Sequence, residues 1–170
     1  IIKSAALTRV CMTSTELNEV VVHTQQHYSD RLSSDLIRDL AIPEPAIKLP
    51  SPSGNSLAQI AHMIVELERV FVSEKPDAVV VYGDTNSTIA ASIAAAHLSI
   101  PIAHIESGLR SFNREMPEEI NRIVTDHLST LLFCPSTTAS KQLLKEGFST
   151  GSAKQATAAS PLLFECGDIM

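Results

Sequence analysis

The fold is decided by residues 78–106, which read AVVVYGDTNSTIAASIAAAHLSIPIAHIE. This stretch opens and closes with short apolar runs, 78–82 and 100–105, of the kind that form buried parallel strands. An alanine-rich segment at 85–98 separates them and has the composition of a helix. Strand, helix and strand in this order predict a βαβ unit of a parallel sheet.

The same alternation continues along the chain on both sides of this unit. The other predicted strands are 19–24, 131–134 and 162–166, and the other predicted helices are 3–13, 29–40, 57–73, 117–129 and 137–146. Apolar strands that alternate with helices form sheets covered on both faces. We therefore predict an α/β fold, a Rossmann-like parallel sheet sandwiched by helices.

Composition and charge narrow the class of protein. The chain has 170 residues, of which 44% are apolar and 19% are charged, as in folded domains. The net charge of −6 argues against nucleic-acid binding, which needs a basic surface. No apolar run approaches the roughly 20 residues of a membrane-spanning helix, so no membrane contact is expected. Three widely spaced cysteines without a C-x-x-C pair predict neither a disulfide framework nor a zinc site, and favour a reducing cytoplasm.

Carboxylates follow the predicted strands at the edge where ligands bind in open parallel sheets. Asp84 follows one strand, Glu106 follows the next, and Glu118 lies in the first turn of the helix that begins at Pro117. Crowded carboxylates repel one another, so one can hold a proton while another is ionised. An acid and a base in one cleft are what proton abstraction requires.

Each carboxylate also has a purely structural explanation. Asp84 can cap the helix that follows it, and Glu106 can simply pair with Arg110. Glu118 and Glu119 can serve the dipole of the helix whose first turn they occupy. These alternatives remain open at the level of sequence.

Other familiar sites lack support in the sequence. His23 and His27 straddle a strand end, so their spacing does not predict a zinc site. The chain contains neither the G-x-G-x-x-G loop of dinucleotide-binding proteins nor the G-x-x-x-x-G-K-[ST] loop of nucleoside triphosphatases. It also lacks the G-x-S-x-G elbow of serine hydrolases.

Several blocks in order resemble the bacterial non-hydrolysing UDP-N-acetylglucosamine 2-epimerases. The blocks are VYGDTNST at 81–88, IAHIESGLRS at 102–111, MPEEINR at 116–122, LFCP at 132–135 and GDIM at 167–170. The segment HTQQHY at 23–28 is similar to the T-G-Q-H segment of that family, with Gln25 in place of the usual glycine.

The resemblance implies an architecture and a reaction. It implies that residues 1–170 form the N-terminal Rossmann-like domain, one half of a GT-B arrangement, without its first strand and without the C-terminal domain. The implied reaction inverts C2 of a UDP-sugar substrate by elimination and re-addition of UDP, without a cofactor or a metal. The family also implies a homodimer for the full-length protein.

The resemblance further implies roles for individual residues. The blocks assign catalytic roles to Asp84, Glu106 and Glu118, substrate binding to Lys3, Arg110 and Arg122, and a second, regulatory UDP-sugar site to Gln26 and His27.

Three alternatives stay open beside the UDP-N-acetylglucosamine epimerase. The sequence at 110–117 also resembles that of enzymes that epimerise UDP-diacetamido-uronic acids. A non-catalytic remnant that only binds UDP-sugar or dimerises is a second alternative. A glycosyltransferase half with the same architecture is a third, and the carboxylate blocks disfavour it.

Overall fold

The computed structural model describes residues 2–25, 37–40, 42–51, 53–149 and 161–167. The chain divides into two compact units, one of Ile1–Ser53 with Ile169–Met170 and one of Gly54–Asp168. None of the helices in these ranges combines the length and the apolar character that crossing a lipid bilayer requires.

The first unit contains a helix and a small parallel pair of strands. Helix α1 spans Ile2–Thr13, as predicted, and strand β1 covers Val22–His23. It pairs with strand β2 at Ile47–Lys48, where Val22 lies opposite Ile47. Strand β1 is therefore shorter than the strand predicted at 19–24. Strand β2 was not predicted because two residues are too few to show a periodic pattern. Residues 37–39 are helical, and the rest of the predicted helix at 29–36 lies outside the described residues.

The second unit confirms the predicted parallel sheet. Its strands are β3 (Val79–Tyr82), β4 (Ile102–Ile105), β5 (Leu131–Cys134) and β6 (Leu162–Glu165), and its helices are α2 (Ser56–Glu74), α3 (Asn86–His97), α4 (Pro117–Leu128) and α5 (Thr137–Lys145). The four strands are parallel and lie in the order β3-β4-β5-β6. Each predicted element of this unit is present, with ends displaced by at most two residues, because buried strands and capped helices leave strong local signals.

Local chemistry explains where the helices begin. Helix α2 is capped by Asn55, whose side chain accepts a hydrogen bond from the Ala58 backbone N–H. Ser136 caps α5 in the same way. Pro117 occupies the first position of α4, where its missing N–H and fixed φ fit the start of a helix. Each of these starts was readable from the sequence because capping depends on neighbouring residues.

Small side chains bring helix and sheet together in the core of the second unit. All four residues of β4 are buried, and α3 contacts both β3 and β4. Ala90 and Ala95 of α3 are fully buried. Alanine allows close approach of the helix, so α3 packs directly against the strands whose ends carry the loops.

The strand register sets the positions of the candidate residues. Tyr82, the last residue of β3, lies opposite Ile105, and Ile105 lies opposite Phe133 of β5. The segments that follow β3 and β4 therefore leave the sheet at one edge and at one level. Asp84 and Glu106 belong to these two segments.

Candidate active site

One arginine holds two of the predicted catalytic carboxylates at the carboxyl edge of the sheet. The Nη1 atom of Arg122 lies 2.8 Å from Oδ2 of Asp84, and its Nη2 atom lies 3.8 Å from Oε2 of Glu106. All three side chains are mostly but not fully buried, at 11% exposure for Arg122, 27% for Asp84 and 23% for Glu106. The planar guanidinium suits this task because its donors diverge in fixed directions.

The backbone around Glu106 is shaped for this contact. Glu106 has a φ of 74°, a left-handed conformation that is rare for a residue with a side chain, and its carbonyl oxygen accepts a hydrogen bond from Nε of Arg122 at 3.3 Å. Gly83 approaches it closely, since a Cβ atom on Gly83 would lie 3.1 Å from Oε2 of Glu106. The glycine thus leaves room for the carboxylate, and unusual backbone of this kind clusters at functional sites.

A chain of amide and hydroxyl groups fixes the turn that carries Asp84. The Nδ2 atom of Asn121 donates to the Asp84 carbonyl at 2.9 Å and to Oδ1 of Asn86 at 3.2 Å. Asn86 in turn donates to the Ser56 hydroxyl at 3.0 Å. Asn121 and Arg122 are adjacent on α4, so one helix orients both the backbone and the carboxylate of this turn.

Glu118 lies in the first turn of α4 and is exposed. It precedes Arg122 by four residues, which places the two side chains on one face of the helix. The structure therefore brings Asp84 and Glu106 together directly and places Glu118 one helical turn from the arginine that joins them.

Arg110 is engaged by other residues of the protein. Its Nε and Nη2 atoms donate to the two carboxylate oxygens of Glu146 at 2.9 and 2.6 Å, and Nη1 donates to Asp126 at 2.7 Å. The side chain is only 1% exposed. Burial opposes its charge, but Glu146 and Asp126 outweigh this and raise the pKa of Arg110. These contacts favour a structural role for Arg110 over the predicted contact with substrate.

Glu119 shapes the loop between β4 and α4. Its carboxylate accepts hydrogen bonds from the Ser111 N–H at 2.7 Å, the Ser111 hydroxyl at 3.0 Å and the Phe112 N–H at 3.1 Å. Burial opposes ionisation, but these hydrogen bonds and the charge of Arg110 outweigh it and lower the pKa of Glu119. Glu119 is thus more than the dipole partner that the sequence suggested.

Sequence reasoning missed a buried histidine and its aspartate. His104 of β4 and Asp126 of α4 are both fully buried. Nδ1 of His104 lies 2.7 Å from Oδ1 of Asp126, and Nε2 lies 2.8 Å from the carbonyl oxygen of Gly83. The one signal in the sequence was a histidine inside an otherwise apolar strand, which needs a polar partner. Its partner could not be found because it lies 22 residues further along the chain.

The remaining predicted residues stay predictions. Lys3 lies in α1 of the first unit and is half-buried. Gln26 and His27, assigned to a regulatory site, lie outside the described residues.

Comparison with known proteins identifies the family. Residues 9–155 match the family model described as UDP-N-acetylglucosamine 2-epimerase, which is most of the chain. The chain belongs to this family. Its parallel sheets flanked by helices match the GT-B-like fold of solved 2-epimerases.

Relatives and solved structures of 2-epimerases agree with this assignment. The UDP-2,3-diacetamido-2,3-dideoxy-D-glucuronate 2-epimerase of Pseudomonas aeruginosa is 43% identical over 99% of this chain and 46% of its own length. The UDP-N-acetylglucosamine 2-epimerase of Methanocaldococcus jannaschii is 44% identical over 86% of this chain and 40% of its own length. This chain therefore spans less than half the length of these relatives.

Two crystal structures show what such 2-epimerases bind. The Methanocaldococcus jannaschii enzyme in complex with UDP-GlcNAc and UDP gives a TM-score of 0.84 at 42% identity, covering 87% of this chain and 41% of that one. The Neisseria meningitidis enzyme bound to UDP-GlcNAc gives a TM-score of 0.81 at 32% identity, covering 87% of this chain and 41% of that one.

The described part of the chain offers no group of three or more histidine, cysteine, aspartate or glutamate side chains placed to hold a metal ion. What the arrangement can do is move protons. Two carboxylates share one arginine, and water reaches both of them in part. Partial exposure lets each group exchange protons with a substrate or with solvent.

Proposed function

We propose that this chain supplies the proton-transfer carboxylates of a UDP-N-acetylhexosamine 2-epimerase, as its N-terminal GT-B half. The observation that carries the proposal is the arginine clamp, in which Arg122 holds Asp84 and Glu106 at one sheet edge. Membership of the family supports the same reading. Relatives of about twice the length of this chain support the proposal that it is one half of such an enzyme.

The proposed reaction balances without a redox partner. A carboxylate removes the proton from C2 while the bond between C1 and the UDP oxygen breaks, which leaves a glycal and UDP. UDP then adds back to C1 as a carboxylic acid returns a proton to the opposite face of C2. Three carboxylates can divide these steps, and their assignment as acid or base stays open among Asp84, Glu106 and Glu118.

Arg122 has two proposed tasks in this scheme. It holds the two carboxylates in place before substrate arrives, and its cation stabilises the charge that the diphosphate of UDP gains as the C1–O bond breaks. Glu118, one turn earlier on α4, is proposed as the third proton-transfer group because the exposed first turn can approach a sugar.

Two UDP-sugars are candidate substrates, and experiment decides between them. UDP-N-acetylglucosamine is favoured by the family and by the ligand in the solved structures. A UDP-diacetamido-uronic acid is favoured by the Pseudomonas aeruginosa relative, which aligns with nearly the whole chain. The second sugar carries an added carboxylate, so an additional basic contact would distinguish the two enzymes.

We further propose a setting for the whole protein. Three free cysteines fit the reducing cytoplasm, where UDP-sugars are made for surface polysaccharides. A homodimer of the full-length protein and a regulatory UDP-sugar site at Gln26 and His27 remain part of this proposal. Lys3 is proposed to bind the nucleotide-sugar.

Proton NMR in heavy water tests the proposed function directly. The chain is incubated with UDP-N-acetylglucosamine or with UDP-2,3-diacetamido-2,3-dideoxy-glucuronate, and deuterium at C2 is followed together with the manno epimer. Exchange with one sugar establishes an epimerase and its substrate. Binding of both sugars without any exchange, by this chain and also by this chain joined to the C-terminal half of a relative, would make it a non-catalytic UDP-sugar-binding unit.

A further inference from the structure

Four ionisable side chains, three of them buried, form a connected chain in the same unit as the arginine clamp. His104 contacts Asp126, Asp126 accepts from Arg110 at 2.7 Å, and Arg110 forms a two-point contact with Glu146. The His104, Asp126 and Arg110 side chains are at most 1% exposed. Charges so far from water need strict pairing, so their arrangement limits the protonation states that can exist.

The hydrogen-bond geometry makes Nε2 of His104 a donor and places Nδ1 against a carboxylate oxygen of Asp126. Nε2 lies 2.8 Å from the Gly83 carbonyl oxygen, which can only accept. Nδ1 lies 2.7 Å from Oδ1 of Asp126. The other carboxylate oxygen of Asp126 already accepts from the Gly108 N–H at 3.1 Å and from Arg110. Those two donors favour the ionised carboxylate, so the proton between Asp126 and His104 belongs to the ring.

The balance of charge agrees with the state in which Asp126 is ionised and His104 is positive. Arg110 supplies one positive charge, whereas Asp126 and Glu146 supply two negative charges. With Asp126 ionised, a positive His104 gives these four side chains no net charge, whereas a neutral ring would leave an excess of one negative charge. Glu119, whose ionised form is favoured partly by Arg110, adds a further negative charge nearby. A positive His104 offsets this excess.

The cluster touches every segment that carries a proposed proton-transfer group. His104 reaches the Gly83 carbonyl, next to Asp84, and lies two residues before Glu106 in the chain. Asp126 lies one turn after Arg122 on α4, the helix that also bears Glu118. A single buried ion pair therefore connects the turn after β3, the loop after β4 and helix α4.

We propose that His104 is a buried imidazolium that positions the Asp84 turn against the Glu106 loop, as a positioning residue for the proposed epimerisation. This inference rests on the proposed function for its kinetic part and on geometry alone for its structural part. His104 acts through the Gly83 carbonyl, and it does not itself contact the reacting sugar in this scheme.

The structural part is tested by NMR of the chain labelled with 15N-histidine and 13C. Two ring N–H protons on His104, with a coupling from Nε2–H across the hydrogen bond to the Gly83 carbonyl carbon, are expected near neutral pH. A single ring N–H, or no coupling to Gly83, overturns the inference.

The kinetic part of the inference is tested with two variants, each of which keeps one of the two hydrogen bonds of His104. His104→Gln keeps a donor at the position of Nε2 toward Gly83, whereas His104→Asn keeps only a donor toward Asp126. We expect His104→Asn to lower kcat by about 100-fold, as a small misplacement of reacting groups does, and His104→Gln to recover much of that loss. KM is expected to stay within about threefold in both, because neither contacts substrate. His97→Gln, at an exposed histidine at the end of α3, is the matched control.

The outcomes separate this inference from the proposed function. If neither this chain nor this chain joined to the C-terminal half of a relative exchanges deuterium, the proposed function fails, and the ring spectrum decides the inference by itself. If the unmodified chain is active and folded His104→Asn keeps its full kcat, the positioning role is overturned. The positioning role is also overturned if both variants lose the same share of activity and that share matches the unfolded fraction of each protein.

Discussion

The guanidinium of Arg122 lies 2.8 Å from the carboxylate of Asp84, although the two residues are 38 positions apart in the chain (122 − 84). The same guanidinium also reaches Glu106 at 3.8 Å and donates to its carbonyl oxygen. Two strand ends and one helix thus meet at a single cation. The cation offsets the repulsion between the two carboxylates, so the site can hold them close together before any ligand binds.

Replacing Arg122 by lysine is expected to slow epimerisation although the positive charge is kept. A lysine offers one ammonium group, which cannot span two carboxylates and a carbonyl in fixed directions. We expect Arg122→Lys to lower kcat by about 10- to 100-fold in the heavy-water exchange assay. Arg69→Lys, at an exposed ion pair on α2, is the control and should be unchanged. Full activity in Arg122→Lys would show that charge alone is sufficient at this position.

Glu106→Gln tests proton transfer with little change of shape. The amide can still occupy the space beside Gly83, but it can neither accept nor deliver the proton. Loss of at least about 100-fold in kcat is expected, which is the low end for a general acid or base. Glu115→Gln, at an exposed glutamate of the same loop, should retain activity. A Glu106→Gln protein that exchanges C2 deuterium at the normal rate would remove Glu106 from the mechanism.

The helices and strands of the second unit could be predicted because their signals are local. The valine run of β3, the asparagine cap of α2 and the proline at the start of α4 each act on neighbouring residues. The pair β1 and β2 of the first unit was harder, because its two-residue strands show no period and are defined by pairing between distant segments.

The residues of the candidate site could be predicted from the sequence, but the contacts between them could not. Parallel strands deliver their ends to one edge, so Asp84 and Glu106 could be expected there. The sequence could not show that Arg122 joins them, because this contact depends on how α4 packs. It also suggested that Arg110 pairs with Glu106, whereas Arg110 binds Glu146, 36 residues away. Contacts of this range are decided by tertiary structure.

Gly108 is expected to tolerate no side chain. It has a φ of +79°, and a Cβ atom there would lie 2.5 Å from the Ala139 carbonyl oxygen. Gly147 has a similar φ of +94° but faces open space. Alanine there therefore introduces backbone strain without a collision. We expect Gly147→Ala to cost about 1 kcal/mol of unfolding free energy and Gly108→Ala roughly 3–5 kcal/mol. Urea melts of both variants test the difference, and equal costs would rule out the collision.

Glu119 is expected to make stability depend on pH in the acidic range. Its pKa is lowered in the folded state despite burial, because Ser111 and Phe112 donate to the ionised form. A lowered pKa means that this stabilisation is complete above the usual value of about 4.3 and is lost as pH falls through the folded-state value. Glu119→Gln should therefore cost about 2 kcal/mol near neutral pH.

The pH profile provides the check on this assignment. Melting temperatures of the unmodified chain and of Glu119→Gln should converge as pH falls below about 4, since protonation removes the same interaction. Glu74→Gln, at an exposed glutamate at the end of α2, should follow the unmodified chain throughout. A constant difference between Glu119→Gln and the unmodified chain from pH 7 to pH 3 would contradict the role given to the ionised carboxylate.

The three free cysteines are expected to differ in reactivity by their burial. Cys134 is fully buried, and burial raises the pKa of its thiol; Asp126 acts in the same direction, and a hydrogen bond with Ser107 opposes them. Burial and the charge of Glu19 also raise the pKa of Cys11, whereas Cys166 is exposed. Because the thiolate is the reactive form, a raised pKa and lack of access both slow modification.

A disulfide reagent near pH 7.5 should therefore modify Cys166 first, Cys11 more slowly, and Cys134 only when the second unit unfolds. Cys166→Ser should remove the fast phase and leave the others unchanged. The rate at which Cys134 is modified then reports separation of α5 from β5. This is because its thiol lies in the core formed with Leu132, Ala139 and Leu143. If Cys134 reacts as fast as Cys166 in the folded chain, this part of the sheet opens readily, and the edge that carries Asp84 and Glu106 is less rigid than the clamp requires.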